Sequence, residues 1–507
     1  MADNASQKTT FFSSLGSKKR NFILPLLSLF LLSASTLALY SCSPSEEEKA
    51  KEQLTERGIT DYDKAIVKLY NEPETLNLLI KAGANVNVEG WKGQTLLYQA
   101  AEEGNDECVK LFLAAPGIDV NKADKYGYTP LYQAAAFGHT KCVKLLLAAP
   151  GIDVNKANPL YRAAENGHID CVELLLAAPG IDVNSENGHG QPPIVGAAKN
   201  GHRECVELLL AAPGIDINKE PPLVLAAQNG HTECVKLLLT APGIDVNKKA
   251  PLYFAACEGN GECIKLLLAA PGIDVNQADK YGDTPLTAAA MKGHADCVEL
   301  LLAAPGIDVN KTKPLLQAAV RGRAECVALL LAAPGIDVNQ VDEKGKTPLR
   351  LATEFGYAEC VALLLAAPGI DVNREDENGE TPLHRAVIKD YANCIRLLLA
   401  APGIDVNKKD NCGWAPLYRA VRKEPTSGVA LLLAAPGIDV NVADPYGNTP
   451  LQRAADYGHT DYVKLLLEAP GIDVNKKNKN GRTPLYWAEK NGHTECAELI
   501  RAAGGRR

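Results

Sequence analysis

The hexapeptide Pro-Gly-Ile-Asp-Val-Asn occurs twelve times in this chain, counting one copy with Ile217 in the valine position. Its prolines run from Pro116 to Pro470, and successive copies are separated by either 34 or 29 residues. A fixed period of that size is the mark of one supersecondary unit stacked many times, each copy burying a face of the next. It also frees a 507-residue chain from the size at which a single core would split into domains, because a stack grows lengthwise. Chains of this kind usually present a binding surface.

The unit beginning at Asp124 shows how one copy is built. Thr129 suits a helix N-cap and Pro130 the first helical position, so the spacing predicts a helix from there. Ala134 and Ala135 are small enough to let neighbouring helices approach closely. Gly138-His139 predicts a turn into a second helix carrying Val143, Leu145, Leu146 and Leu147, which Pro150-Gly151 stops. Ile152 and Val154 are placed to bury while Asp153 and Asn155 shape an exposed turn.

Thr-Pro-Leu at helix one, Gly-His between the helices, the leucine triplet and the closing Val-Asn together resemble the ankyrin repeat, from about Asp61 to Ala503. The resemblance implies an all-α ankyrin-repeat solenoid of about fourteen helix pairs with β-finger loops, several of them shortened. The chain departs from the family pattern in two ways. The junction before Val-Asn has gained a residue and reads Ala-Ala-Pro-Gly-Ile-Asp, and the histidine after Thr-Pro-Leu survives only at His384. The 29-residue units lack the turn that forms the finger, between Asn155 and Pro159, Asn218 and Pro222, Asn247 and Pro251, and Asn310 and Pro314. From Asn339 onward, five full fingers are expected to run without a break. The end units are charged and read as polar caps, which predicts a monomer. Between Val421 and Val429 the pattern degrades, and Gly428 replaces a core cysteine, so a soft joint is expected there.

Partners of ankyrin proteins usually contact finger tips and the end of helix one on the concave side. Carried over by position, the resemblance implies partner-binding finger tips at Trp91, Lys125, Tyr126, Tyr128, Tyr281, Trp414 and Tyr446. It implies contacts from the end of helix one at Phe137, Met291, Arg321, Phe355, Lys389, Arg422 and Tyr457. Aromatic and arginine side chains dominate interface energies, and only 6% of this chain is aromatic. The expectation is a non-enzymatic scaffold for a protein partner.

Other chemistries are poorly represented. Eleven of the fourteen cysteines recur at one repeat position, from Cys108 to Cys496, where they read as small apolar core residues about one helix layer (~10 Å) apart, too far to bridge. Cys257 and Cys412 break the pattern, and Cys412 falls in a finger. Six copies contain His-x-x-Cys, half of a zinc site, but the repeat itself produces that spacing and no second ligand pair accompanies it. No nucleophile stands with a base and an orienting acid. Neither catalytic residues nor cofactor or metal ligands are assigned.

The N-terminus is a separate object. Lys18, Lys19 and Arg20 precede an uncharged, leucine-rich run from Phe22 to Tyr40, the pattern of an export signal. Leu39-Tyr40-Ser41-Cys42 resembles a bacterial lipobox, which implies lipidation of Cys42 and an envelope lipoprotein facing the periplasm or the outside. Residues 1–41 are thus expected to be a signal peptide, 42–60 a tether, 61–503 the repeats and 504–507 a tail. An uncleaved membrane anchor, a secreted or delivered effector that binds a host protein, and a cytosolic chain are the alternatives. The net charge is −8; the first 41 residues hold four basic side chains and one acid, a surplus of three, which leaves −11 on the rest. An acidic body of that kind lacks the basic stripe that nucleic-acid binding requires.

Overall fold

The structure is a computed structural model that describes residues 45–422 and 427–507; the export segment and Cys42 lie outside the described residues. The chain divides into two compact units. One comprises residues up to Ala134 together with Lys141–Asp153, and the other Ala135–Thr140 with Val154–Arg507. Among the described residues there are 29 α-helices and no strand, with a single isolated bridge between Glu89 and Thr95. Twenty-eight of the helices form fourteen antiparallel pairs, from Tyr62–Leu69 with Pro73–Lys81 to Pro484–Lys490 with Thr494–Ala502. None is long and apolar enough to cross a membrane.

Helix one of a full unit starts where its threonine allows. Thr347 accepts the Arg350 amide at 3.2 Å and Thr449 accepts that of Gln452 at 3.3 Å, with proline at the first helical position. Helix two presents one apolar edge. In Ala295–Leu302 this edge is Cys297, Val298 and Leu301, all buried, and it faces helix one, whose Ala288 and Ala289 are buried too. Each such leucine or valine contributes about 1.5–3 kcal/mol relative to exposure.

The repeated hexapeptide has a structural cause that its exposed position conceals. The closing asparagine of each unit bridges to the next copy: Asn339 Nδ2 donates to the Gly369 carbonyl at 2.8 Å, while its Oδ1 accepts the Asp371 amide at 2.9 Å. The same pair of bonds joins Asn276 to Gly306 and Asp308, and Asn407 to Gly437 and Asp439. Asp371 in turn takes the Asn373 amide at 3.0 Å, so each rung positions the following one. The ladder is indifferent to finger length. Asn310, which opens a shortened unit, still holds Gly335 and Asp337.

The inter-helix turn is tied just as regularly. His202 Nε2 donates to the Glu165 carbonyl at 3.0 Å and His294 Nε2 to that of Cys257 at 3.1 Å, which satisfies the open end of the preceding helix one. The ring of His202 lies against Gly167, whose φ is +75° and where a Cβ would meet the imidazole at 2.5 Å. Glycine is therefore required both by the backbone and by its neighbour.

Two boundaries differ from the sequence expectation. From Ser45 onward, the expected tether is the helix Glu46–Glu56, capped by a reciprocal Ser45–Glu48 box, with Ala50 and Leu54 buried against Pro73–Lys81. Polar composition concealed two apolar positions one helical turn apart. The expected C-terminal tail also extends the ladder, since Asn475 bonds the Gly504 carbonyl at 3.1 Å and accepts the Arg506 amide at 2.6 Å.

Three shortened units close with two successive left-handed residues, at Ala157-Asn158, Lys249-Ala250 and Thr312-Lys313. In the fourth, Pro221 occupies the corresponding place with φ −70° and the left-handed pair is absent. The degraded unit has the shortest helices, Pro416–Ala420 and Gly428–Leu433. Residues 423–426 between them lie outside the described residues.

Candidate functional site on the fingers and helix one

Most full fingers are built around one aspartate, and those at Asn187 and Asn478 around an asparagine whose Oδ1 accepts the same pair of amides. Asp410 accepts the amides of Cys412 at 2.9 Å and Trp414 at 3.0 Å, and Asp444 treats Tyr446 and Asn448 in the same way. This side-chain turn fixes the tip and leaves its central residue pointing away from the helices. Neighbouring fingers also touch through the backbone: the Glu377 amide donates to Lys344 O, that of Asn411 to Asn378 O, and that of Lys479 to Tyr446 O, each at 3.0 Å. The row of five expected to be unbroken lacks one such tie. Pro445 has no N–H, and its ring stands against Gly413, so the third and fourth fingers are not joined in this way.

In the first unit, Trp91 and Tyr126 are exposed at their tips with Lys92 Nζ 3.8 Å from the indole centroid and Lys125 Nζ 5.1 Å from the Tyr126 ring. Tyr128, only just exposed, stacks on Tyr132 at 4.3 Å and so packs largely within its own repeat. In the second unit, Tyr281 and Tyr446 are the most open tips, at 79% and 68%. Phe137, Phe355 and Tyr457 are exposed at the ends of their helices, as are Arg321, Lys389 and Arg422. Two expected contacts are less open. Met291 is half-buried, and Trp414 is half-buried between the Arg419 and Arg422 guanidiniums, at 4.4 and 4.2 Å.

Beneath this surface lies a chain of buried charge that periodicity does not reveal. Arg350, 1% exposed, donates to Asp376 Oδ2 at 3.0 Å and to Glu354 Oε2 at 3.2 Å, and stands 3.4 Å from Glu380 Oε2. Lys346 and Arg385 also bond Glu354, at 2.9 and 2.7 Å. Arg385 and Arg419 both lie 3.6 Å from Glu380, and Arg419 donates to Asp410 at 2.5 Å. One unit further on, Arg453 and Asp444 converge on the Tyr418 hydroxyl, at 2.7 and 2.5 Å. Burial opposes ionisation of Glu354, but the bonds from Arg385 and Lys346 and the charge of Arg350 prevail and hold its pKa down to about 2. A shallow pocket of about 300 Å³ opens over part of this network, lined by Glu380, Arg385, Val387, Ile388, Arg419, Ala420 and Arg422.

The surviving histidine belongs to the framework. His384 is fully buried; its Nδ1 pairs with Thr381 at 2.9 Å and its Nε2 donates to the Trp414 carbonyl at 2.9 Å, tying one helix to the next finger. Burial, the largest influence, lowers its pKa.

The eleven periodic cysteines are buried, Cys257 is half-buried and Cys412 is exposed, and none of these thirteen is in a disulfide. Burial raises the thiols of Cys205, Cys234, Cys326 and Cys360 to about 11. Among the described residues no group of histidine, cysteine and acidic side chains is placed to hold a metal. In His202-x-x-Cys205 and His294-x-x-Cys297 the histidine Nε2 donates to a carbonyl while the cysteine is turned into the core.

These features define a tandem-repeat protein whose paired helices carry projecting fingers. The family model for ankyrin repeats, which describes three tandem copies, matches residues 65–158, 153–221, 194–279, 223–313, 310–376, 369–444 and 417–505, and the chain belongs to the ankyrin repeat family. The ankyrin repeat domain of Bcl-3, a member of the IkappaB protein family, is 30% identical, with 43% of this chain and 99% of that one covered and a TM-score of 0.41. The human ASB11 ankyrin repeat domain is also 30% identical, covering 43% of this chain and 100% of its own, with a TM-score of 0.38. An ankyrin repeat domain from Acinetobacter baumannii AYE is 30% identical over 38% of this chain and 98% of its own, with a TM-score of 0.36. Among curated proteins there is no significant match.

Proposed function

We propose that this protein is a non-enzymatic scaffold, acting as a monomer, that holds a protein partner on its finger tips and the ends of its first helices. The observation that carries this reading is the exposure of large aromatic side chains at those positions. Tyr281, Phe355, Tyr446 and Tyr457 stand open in a chain that is only 6% aromatic. A rigid aromatic ring yields much contact area for little lost freedom, which is why such side chains serve as anchors. Ankyrin repeats in general are protein-interaction modules. The proposed role needs no cofactor and no nucleic acid.

The proposal extends to the N-terminus: Cys42 carries lipid, and the repeats are displayed from a bacterial envelope membrane. The basic flank, apolar run and lipobox-like residues before Cys42 support it. Metabolic labelling with a palmitate analogue tests this part, with label expected on the wild type and lost in Cys42→Ala. The scaffold reading is tested by cross-linked capture with the full chain and with a Phe355→Ala/Tyr446→Ala/Tyr457→Ala variant. A partner retained by the first and lost by the second is expected; equal capture by both contradicts the placement.

A further inference from the structure

We infer that the pocket between Arg385, Arg419 and Arg422 is a specificity subsite that takes the carboxylate of an acidic side chain on the partner's polypeptide. This rests on the protein-binding reading above and adds to it the chemistry of one contact.

The charge arrangement points to an anion. The network beside the pocket joins Lys346, Arg350, Arg385 and Arg419 to Glu354, Asp376, Glu380 and Asp410, four cations to four carboxylates. Arg422 brings a fifth cation to the rim, and among the described residues it has no carboxylate partner; its guanidinium rests on the Trp414 ring. At the pocket itself three guanidiniums face one carboxylate, Glu380, which is already shared by Arg350, Arg385 and Arg419. Counted over the whole network and its rim, five cations against four carboxylates leave a surplus of one positive charge, which in a chain whose net charge is −8 is a contrast that a single anionic group would complement.

A second observation is independent of charge counting. Arg385 Nε is buried and has no hydrogen-bond partner, although the terminal nitrogens of the same guanidinium reach Glu354 and Glu380. A buried N–H left without an acceptor is costly; Arg350 Nε carries another such group, but of the two arginines only Arg385 lines the pocket.

The shape and lining select the kind of anion. Val387, Ile388 and Ala420 supply apolar walls that suit the methylenes of a glutamate or aspartate, while the guanidiniums match a planar carboxylate. A doubly charged phosphate would overshoot the single surplus charge and crowd Glu380. Trp414 stacks between Arg419 and Arg422 and holds both guanidiniums near the rim. No sequence motif marks the site, because Arg385 and Arg419 occupy one repeat position, 34 residues apart, while Arg422 belongs to the degraded unit.

The probe is a random twelve-residue peptide library displayed on phage and panned against the full chain, its Arg422→Glu variant and an Arg385→Gln/Arg422→Gln variant. Arg422 is exposed, so Arg422→Glu leaves the buried network intact, and thermal unfolding checks both variants. The expected result is enrichment of one glutamate or aspartate beside aliphatic residues with the wild type. A synthetic peptide carrying that consensus should bind Arg422→Glu at least about tenfold more weakly, since a charge-assisted contact becomes a repulsion. It should lose a similar factor when its acidic residue becomes the amide, and acetate should compete at least as well as inorganic phosphate. Enriched peptides that lack an acidic residue, or whose acidic residue is insensitive to Arg422→Glu, overturn the subsite while leaving the scaffold reading in place. Competition by phosphate and not by acetate overturns the carboxylate assignment. No enrichment on any of the three proteins overturns the subsite and counts against the scaffold reading as well.

Discussion

Arg350 Nη2 lies 3.0 Å from Asp376 Oδ2, each side chain about 1% exposed, and this pair locks a helix of one repeat to the finger of the next. Removing one partner from such a pair strands the other charge away from water. Arg350→Ala is expected to destabilise the C-terminal repeats by about 3–5 kcal/mol, whereas Arg350→Met with Asp376→Asn, which removes both charges, should cost far less. Urea denaturation of the three proteins checks this.

Glu354 gives the network an acid limit. Its folded pKa, about 2, lies below the ordinary value of 4.5, so its contribution is fully present above pH 4.5 and is lost as pH falls towards 2. The stability gap between wild type and Glu354→Gln should therefore be steady near neutrality and shrink progressively below pH 4.5, as read from denaturation midpoints across pH. Buried His384 acts in the same direction at higher pH. Its lowered pKa means stability that is complete above about pH 6.5 and declines below it.

The asparagine ladder predicts a local effect at an exposed position. Asn373→Ala would release the Gly403 carbonyl and the Asp405 amide together, at a cost of about 1–2 kcal/mol. Faster hydrogen exchange at the Asp405 amide, with little change two repeats away, is the expected signature.

Gly428 begins its helix where a Cβ would sit 3.4 Å from Ile395 Cδ1 and farther from all else, so the site has room for alanine. Its amide bond to Asp390, 3.1 Å long, uses no side chain of its own. Gly428→Ala should stabilise this short-helix unit by about 0.5–1 kcal/mol and slow its hydrogen exchange, which in the wild type should be faster than in adjacent repeats.

The thiols predict a simple titration. Apart from Cys42, only Cys412 should react quickly with a thiol reagent in the native protein, Cys257 more slowly, and the eleven buried cysteines only on unfolding. Cys412→Ser should abolish the fast phase.

Much of this architecture is legible in the sequence because repetition averages out local ambiguity. Thr-Pro at helix one, Gly-His at the turn and Cys-Val-x-x-Leu along helix two each recur until only one reading survives. Position in the repeat also marked which cysteines are core, but not which finger residues stand open, since Trp414 is half-buried between two guanidiniums. Relations between copies were harder to see. The sequence shows Asp and Asn in an exposed turn, but that Asn339 reaches Gly369 depends on how far one layer stands from the next. The helix Glu46–Glu56 was concealed by its charge, although Ser45-x-x-Glu48 ahead of Ala50 and Leu54 is a readable start signal. The buried network escaped because its members come from five repeat positions in three successive units, and meet only after stacking. The break at Pro445 needed the neighbouring finger to give it meaning.

The central claim, that the fingers and helix-one ends are the working face, is tested most directly by site-specific photo-crosslinking. A benzophenone amino acid at Tyr446 or Phe355 is compared with one at Lys464, on the second helix of its repeat. Protein adducts are expected from Tyr446 and Phe355 and none from Lys464; adducts from Lys464 alone, or equally from all three, would contradict the account.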